Sequence, residues 1–425
     1  MSMKSGWKFG AMAVLAVGMV TSGFGQTGWT KGITGTTKFL SSVSFINSGF
    51  GFVRGGWAVG SGGTILKASN FGSNWTPESS GTTRNLASVQ FVDTSTGWAV
   101  GDSGTILHSL NGGTTWFSQP SGITAPLTSV HFTDKNHGWT ASLNNAIVLN
   151  SVNGGASWTT QINGNSGALG WSSIFFANSN VGWVVGNSNS SSIISKTTNG
   201  GASWNSSILP ISLPVRSVFF INDSIGWVAG LGGILKTRNG GNTWTSQNIG
   251  NTTSQLNSVY FSDSSYGWAV GDSGKILTTN NGGSQWFPQT SGTSITLTSA
   301  FATPSTSLIF FGCVVGDSGT ILTIQSGDVI KSLSNLQHFL SFHLSSSQLS
   351  FTLPNSFSIS NSSTAIFTAS GVKLLEFPIG SKSNFSMPIG NLSEGGYFLE
   401  VNRSERRSNS AGLREKIVQP FEISR

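Results

Sequence analysis

A cassette of about forty residues, marked by two tryptophans, recurs seven times between Trp29 and Ile324, most clearly from Ser88 to Trp116. Successive copies are separated by 41, 41, 44, 44, 41 and 45 residues. A period in the forties with several short strands per unit is typical of β-propeller blades. The first tryptophans of the copies are Trp57, Trp98, Trp139, Trp183, Trp227 and Trp268, and Cys313 takes that place in the last copy.

A second motif, Asn-Gly-Gly-x-x-Trp, follows in most copies. We expect each asparagine side chain to accept from backbone N–H groups two residues further on, and the glycines to adopt left-handed conformations. Burial of the tryptophan that ends the motif is worth roughly 4–6 kcal/mol as an upper bound, so packing alone accounts for it. The asparagines are Asn111, Asn153, Asn199, Asn239 and Asn281, with a weaker copy at Asn70.

The ends of the repeat indicate how the ring closes. Trp29 lies 46 residues before Trp75, at the spacing of an outer-strand tryptophan, and the last copy lacks such a residue. We therefore predict that the strand around Trp29 completes the seventh blade, which removes two exposed sheet edges. Residues 26–325 are predicted to form an all-β, seven-bladed β-propeller.

The segments outside the repeat have different patterns. Two lysines, an apolar stretch from Ala11 to Val20 and small residues before Gln26 predict a secretory signal peptide over residues 1–25. The apolar stretch is too short to span a bilayer, so no transmembrane segment is expected after cleavage. Residues 326–347 are predicted to be a linker, and the short strands of residues 348–425 predict a small immunoglobulin-like β-sandwich.

Composition excludes several classes of partner and chemistry. The net charge is +7, from 22 basic and 15 acidic residues. The basic residues are scattered without a run of five, so no nucleic-acid partner is expected. One cysteine cannot form an intrachain disulfide, and Cys313 occupies a repeat position otherwise held by tryptophan, which favours a buried apolar role.

The combination of residues 97–107 with the turn of residues 111–116 resembles the propellers of the photosystem II assembly and stability factor family. The resemblance covers about residues 29–324 and implies a non-enzymatic protein that holds partner proteins on a propeller face. The Asn-Gly-Gly turn is also similar to the Asp-box of sialidases and related glycosidases, with asparagine in place of aspartate. The Asp-box is structural in those families.

The C-terminal module resembles the sorting domains of type IX secretion cargo at residues 371–375, 392–399 and 416–418. The Asn-Pro opening common in that family is absent, and the module is also similar to FlgD-type immunoglobulin-like domains. The resemblance implies Sec export followed by type IX secretion, with that machinery as one partner. It further implies a protein secreted by a Gram-negative bacterium or displayed on its outer membrane. From the resemblance to the photosystem II assembly factors, only the binding of partners by the propeller is therefore carried over.

Seven of the eight acidic residues in the propeller region recur at two turn positions, for which capping is the simpler explanation. Asp93, Asp134, Asp223 and Asp263 precede the second strand, and Asp102, Asp272 and Asp317 follow it. Only Glu78 stands outside this pattern. His108, His131 and His137 occupy positions of variable identity, so we predict no metal site and no cofactor.

Two functional hypotheses follow. The leading one is a non-catalytic propeller that binds a protein or glycan on the face formed by the inter-blade loops and the second-to-third-strand hairpins. The alternative is a carbohydrate-active hydrolase, related to sialidases or xyloglucanases, in which Glu78 pairs with Asp102 or Asp317 as acid and base. The candidate binding residues break the repeat near that face: Glu78, Arg84, Trp171 and Arg216. Trp171 replaces a repeated leucine, which favours a core role.

Overall fold

A computed structural model describes residues 28–47, 53–69, 72, 74–163, 168–250, 254–303 and 311–325, and strands between residues 341 and 423. The predicted signal peptide, Asn70 and most of the predicted linker lie outside these ranges. No helix within them is both long and apolar enough to cross a membrane.

Seven four-stranded antiparallel sheets form the repeat region. The chain begins with β1 (Thr30–Lys31), and blade 1 follows as β2 (Leu40–Asn47), β3 (Val53–Gly60), β4 (Ile65–Ser69) and β5 (Asn74–Glu78). Blade 2 contains β6 (Leu86–Phe91), β7 (Gly97–Gly101), β8 (Thr105–Ser109) and β9 (Phe117–Gln119). Blade 3 contains β10 (Leu127–Phe132), β11 (Gly138–Ser142), β12 (Ile147–Ser151) and β13 (Thr159–Asn163). Blade 4 contains β14 (Gly170–Phe176), β15 (Gly182–Asn187), β16 (Ser192–Thr197) and β17 (Asn205–Leu209).

The remaining blades follow the same order. Blade 5 contains β18 (Ser212–Phe220), β19 (Gly226–Leu231), β20 (Gly233–Thr237) and β21 (Thr245–Ser246). Blade 6 contains β22 (Leu256–Phe261), β23 (Gly267–Gly271), β24 (Ile276–Thr279) and β25 (Phe287–Gln289). Blade 7 contains β26 (Leu297–Ala302), β27 (Phe311–Gly316) and β28 (Ile321–Gln325), with β1 as its outermost strand. The predicted seven-bladed propeller is confirmed.

The N-terminal strand closes the ring. Thr30 pairs with Thr323 and Lys31 with Leu322, antiparallel, so blade 7 takes strands from both ends of the repeat region. The Nε1 of Trp29 donates to Oε1 of Gln289 in blade 6 at 3.1 Å. The strand predicted around Trp29 is therefore present and completes blade 7.

The first strands of the seven blades contact one another in a closed circle, with β2 against β26. A serine on each of six of these strands accepts from a backbone N–H of the next blade's first strand, at 3.1–3.3 Å. These N–H groups lie on the free inner edge of a sheet, where an unpaired donor would be costly. The repeated serine thus ties neighbouring blades together; the six are Ser42, Ser88, Ser129, Ser173, Ser217 and Ser299.

The first tryptophan of each cassette joins its blade to the next. Trp98 stacks on Phe132 of blade 3 with ring centroids 3.5 Å apart, and its Nε1 donates to the carbonyl of Gly154 at 3.0 Å. The outer tryptophan Trp158 meets Phe132 edge-on at 5.9 Å. A Cβ on Gly138 would lie 2.3 Å from the Phe132 ring, which explains the glycine before each such tryptophan. The equivalent sets are Trp57–Phe91–Trp116, Trp139–Phe176–Trp204, Trp183–Phe220–Trp244 and Trp227–Phe261–Trp286.

The seam between blades 7 and 1 lacks the first tryptophan. Cys313 is fully buried there, and burial raises the pKa of its thiol well above the usual range. Phe311 packs edge-on against Phe45 at 5.0 Å and fills the space. The Nε1 of Trp75 donates to Gly72 in its own turn at 2.8 Å. The small Cys313 at the tryptophan position is thus compensated by Phe311, two residues earlier.

The C-terminal strands form two antiparallel sheets, ordered β29-β30-β33 and β32-β31-β34-β35. The strands are β29 (Ser341–Leu344), β30 (Gln348–Thr352), β31 (Ser362–Thr368), β32 (Lys373–Ile379), β33 (Asn384–Pro388), β34 (Gly395–Ser404) and β35 (Arg414–Ile423). The sequence analysis did not predict β29, which lies inside the predicted linker and pairs with β30. The predicted boundary at residue 348 therefore cuts a hairpin.

Candidate functional site

The inter-blade linkers and the second-to-third-strand hairpins lie together on one face, which we call the loop face. Asn85, in the linker between blades 1 and 2, accepts from the backbone N–H of Gly62 in one hairpin at 2.8 Å. Its carbonyl accepts from Asp102 N in the next hairpin at 2.9 Å. The opposite, turn face carries the Asn-Gly-Gly turns, where Gly112 N donates to the carbonyl of Ser95 at 2.8 Å.

The turn aspartates before the second strand cap their own loops. Asp93 Oδ1 accepts from the backbone N–H groups of Ser95 and Thr96 at 2.8 and 2.7 Å, and Asp134 and Asp263 make the same pair of bonds. In blade 5 this position belongs to Asn222, which accepts from Ser224 and Ile225 at 2.9 and 2.8 Å. The prediction that Asp223 holds this position was wrong by one residue. Asp223 instead accepts from the Ser224 hydroxyl.

The hairpin aspartates are also engaged locally. Asp102 accepts from the Asn85 amide at 2.8 Å, Asp272 from the Asn257 amide at 3.0 Å, and Asp317 from the backbone N–H of Ser318 at 2.5 Å. The positive φ of this hairpin falls on Ser103 and Gly104 in blade 2, at 55° and 70°. Each of these carboxylates thus serves the loop face's own geometry.

The Asn-Gly-Gly turn is stabilised differently from the prediction. Asn111 Oδ1 accepts from Thr115 N, four residues on, at 2.9 Å, and its Nδ2 donates to the Thr115 hydroxyl at 2.9 Å. The nearer N–H, that of Gly113, donates at 2.8 Å to the hydroxyl of Ser109 instead. Equivalent Oδ1 bonds to the residue four positions on occur at Asn153, Asn199, Asn239 and Asn281.

Glu78 is not outside the repeat pattern. It pairs with Ile65, as Gln119 pairs with Ile106 and Gln289 with Ile276, so a glutamine stands at its place in other blades. In blade 6 this glutamine, Gln289, accepts from the outer tryptophan of the next blade. The corresponding tryptophan next to Glu78 is Trp116, whose buried Nε1 has no partner. Glu78 therefore occupies a position that glutamine holds in blades 2 and 6, where Gln289 accepts from a tryptophan but Gln119 donates from Nε2 to the Gly154 carbonyl at 3.1 Å. Sequence reasoning missed this because it compared only acids with acids.

The acids that the hydrolase hypothesis pairs come from three different blades. Glu78 lies on the outermost strand of blade 1, whereas Asp102 and Asp317 lie in hairpins of blades 2 and 7. Within the part of the chain that the structure describes, no group of three or more His, Cys, Asp and Glu side chains is placed to hold a metal ion.

A cleft of about 860 Å³ opens beside the seam, lined by parts of the segments 33–38, 62–66 and 75–83. Lys38 and Glu78 supply its charged groups, and Lys38 Nζ donates to the Gly62 carbonyl at 3.4 Å. The other lining groups are mainly threonine and serine hydroxyls and glycine backbone. Its chemistry fits polar contacts with a partner.

The four predicted binding residues do not form one site. Glu78 ends the last strand of blade 1, and Arg84 is exposed in the linker that follows. Arg216 is exposed on β18, at a bulge between Val215 and Ser217, in blade 5. Trp171 is fully buried and donates from Nε1 to the Ala146 carbonyl at 2.9 Å. It is therefore a core residue and not a binding residue.

Several titratable groups have shifted pKa values, among them Asp93, His131 and Lys236. Burial acts to raise the pKa of Asp93, but hydrogen bonds from Lys135, Ser95 and Thr96 outweigh it and lower the pKa to about 2. Burial lowers the pKa of His131 to about 4, so its neutral Nδ1 accepts from Phe176 N at 3.3 Å. Burial, and then the charge of Arg238, lower the pKa of Lys236 to about 8.

Comparison with known proteins supports this architecture. A family model described as photosynthesis system II assembly factor YCF48 matches residues 114–252 and 203–299. No curated protein sequence matches the chain. A structure of YCF48 bound to a D1 peptide is 19% identical with a TM-score of 0.57, and the match covers 70% of this chain and 95% of that one.

Two further structures share the fold. YCF48 from Cyanidioschyzon merolae is 16% identical with a TM-score of 0.58, over 70% of this chain and 99% of that chain. The GH74 xyloglucanase from Xanthomonas campestris is 12% identical with a TM-score of 0.56, over 71% of this chain and 54% of the enzyme. The family model thus matches part of the repeat region, and these structures show that the chain shares their β-propeller fold.

Proposed function

We propose that this propeller binds a protein partner on its loop face without catalysing a reaction. The observation that carries the proposal is the use of the acidic side chains: seven aspartates bond within their own turns or to an adjacent loop, and Glu78 stands at a position that glutamine holds in two other blades. The fold shared with YCF48 bound to a D1 peptide is consistent with peptide recognition by this architecture.

A protein partner is favoured over a glycan by the exposed side chains. The large apolar residues exposed in the described part of the chain are aliphatic or phenylalanine, and include no tryptophan. Sugar rings are commonly held against exposed aromatic faces, whereas exposed aliphatic groups beside polar ones are typical of protein contacts.

Partner binding can be tested by crosslinking the full-length protein in its native envelope and then measuring binding of the captured partner in purified form. We expect saturable binding that is weakened by charge reversal of Arg84 or Arg216 on the loop face. The control variant Leu110→Asp changes a residue that is 61% exposed in a turn-face loop and should bind normally. Binding that is lost only in the control would contradict the proposal.

The second candidate function is glycoside hydrolysis, which is suggested by the fold that the chain shares with a GH74 xyloglucanase. It is tested by incubating the protein with xyloglucan and sialosides and comparing Glu78→Gln, Asp102→Asn and Asp317→Asn. Our proposal predicts no turnover in any of the four proteins. Turnover by the unaltered protein that Glu78→Gln abolishes would replace binding by catalysis.

We also propose that the chain is exported by the Sec pathway and then displayed or released through type IX secretion. The support is the N-terminal pattern of residues 1–25 and the resemblance of residues 371–418 to sorting domains. Deletion of residues 341–425, which removes the whole C-terminal strand set, should leave the protein in the periplasm. Surface display of that truncated protein would refute the sorting role.

A further inference from the structure

The loop face departs most from the repeat where blades 3, 4 and 5 meet. The paired residues Val184 and Ser195 flank the hairpin of blade 4 and lie 11 residues apart, whereas their counterparts Ala99 and Leu107 in blade 2 lie eight apart. Trp171 replaces the leucine that begins the first strand of other blades. Loops that vary on a constant scaffold are where binding residues concentrate.

The hairpin of blade 3 keeps the two positive φ values of the repeated hairpin but has alanine where blade 2 has glycine. Asn145 and Ala146 have φ values of 63° and 46°, a region that alanine rarely adopts, whereas Ser103 and Gly104 have 55° and 70°. The Trp171 indole N–H donates to the Ala146 carbonyl at 2.9 Å, and Ile147 N donates to the Ser142 hydroxyl at 3.0 Å. Trp171 is thus a positioning residue for this hairpin.

Two leucines project from this region. Leu143, in the hairpin, is 47% exposed, and Leu169, in the linker before blade 4, is 58% exposed. Their backbones are adjacent, since a Cβ on Gly170 would lie 1.3 Å from the Leu143 carbonyl oxygen. An aliphatic pair of this kind on a loop face is a candidate contact surface.

An exposed cation lies at the start of the next blade, which Asn187 connects to Leu169. Leu169 N donates to the carbonyl of Asn187 at 2.8 Å, and the Asn187 side chain accepts from Val215 N at 2.9 Å. Arg216, the next residue, is exposed, and within the described part of the chain it forms no ion pair with a carboxylate. A guanidinium stays charged at any physiological pH and can hold a carboxylate with two parallel hydrogen bonds.

We propose that Leu143, Leu169 and Arg216, which we call the blade 4 patch, bind an extended segment of a protein partner that presents a carboxylate next to a bulky apolar side chain. The inference rests on the proposed binding function and names the chemistry of the partner. The leucines receive the apolar side chain and Arg216 pairs with the carboxylate. Trp171 keeps the hairpin in place before the partner arrives, which lowers the ordering cost of binding.

The test selects a random displayed library of twelve-residue peptides against the full-length protein. We expect enriched sequences with Asp or Glu within two residues of Leu, Ile or Phe. A synthetic peptide of that sequence should bind Leu169→Asp and Arg216→Glu about tenfold more weakly than the unaltered protein, since each loses one central contact. Binding to Leu110→Asp should be unchanged.

A charge exchange shows whether the contact is direct. A peptide with Lys in place of its acid should recover affinity for Arg216→Glu and lose it for the unaltered protein. Equal binding of the selected peptide to all variants would overturn the patch. Peptides that respond to Arg84→Glu but not to Arg216→Glu would also overturn it, while leaving the binding function intact. Binding of xyloglucan oligosaccharides or sialosides that depends on Arg216 would assign the patch to glycans and overturn the inference.

Discussion

At the scale of single residues, the first tryptophan of a cassette combines ring stacking, a hydrogen bond and complete burial, which no other residue type can provide together. Trp98 stacks on one ring of the next blade, donates to a turn carbonyl there, and is fully buried. Trp98→Phe removes the N–H and part of the buried ring, while the Gly154 carbonyl keeps the Gln119 amide as a donor at 3.1 Å. The variant should lower the free energy of unfolding by about 1–3 kcal/mol, measured by urea denaturation. An unchanged midpoint would mean that stacking alone joins the blades.

Lys236 gives a pH-dependent prediction. Its Nζ donates to the Gly282 carbonyl and lies 5.0 Å from the Trp227 ring centroid, and burial holds its pKa at about 8 against 10.5 in the unfolded chain. Between these two values the folded state binds fewer protons, so the free energy of unfolding should rise with pH from about 8 to about 10.5. Denaturation curves across this range should show a smaller rise for Lys236→Met. An equal rise in both proteins would contradict the assigned pKa.

The residue scale is also where the sequence was least informative. Glu78 looked unique because glutamine and glutamate were not compared, although both offer an acceptor of the same length. Asp223 was misplaced because Asn222 beside it caps equally well through Oδ1. For Trp171 the repeat position favoured a core role, which its complete burial bears out, but the sequence did not reveal that its indole N–H bonds to the Ala146 carbonyl.

At the scale of elements, the Asn-Gly-Gly turn provides the sharpest comparison. Asn111→Ala removes the bond to Thr115 N and should lower the free energy of unfolding by about 1 kcal/mol. Asn111→Asp keeps an acceptor at the same place and should cost less. Calorimetry of both variants checks this, and equal destabilisation by Ala and Asp would show that the Oδ1 bond is not what the turn needs.

The hairpin of blade 3 can be tested in the same way. Trp171→Leu restores the residue found at Leu86 and Leu127 but removes the donor to Ala146 and a large buried ring. We expect a lower Tm and faster hydrogen exchange at residues 143–147, with other hairpins unaffected. Unchanged exchange there would show that the hairpin holds its conformation without the indole.

Strands, turns and their order followed from the sequence because each is encoded locally, by alternating side chains and by glycine positions that recur in every copy. The contacts between blades did not, since residues such as Ser88 and Val130 bond across about forty positions. The exposed pair Leu143 and Leu169 was missed for a related reason: exposure depends on which linker lies against which hairpin.

At the scale of the whole molecule, the account depends on a ring closed by a strand only two residues long. Closure places Thr30 opposite Thr323 in an antiparallel pair, where Cα atoms lie about 4.5–5.5 Å apart and a disulfide is geometrically allowed. The native Cys313 pairs with Thr323 on the neighbouring strand, so it is first replaced by alanine to leave only the two added thiols.

The most direct measurement is therefore the oxidation of a Thr30→Cys, Thr323→Cys variant that also carries Cys313→Ala, followed by mass spectrometry of its proteolytic fragments. A closed seven-bladed ring predicts one intramolecular crosslink between these positions in nearly every molecule, formed without denaturant. Free thiols, or crosslinks only between molecules, would show that the first and last strands do not meet.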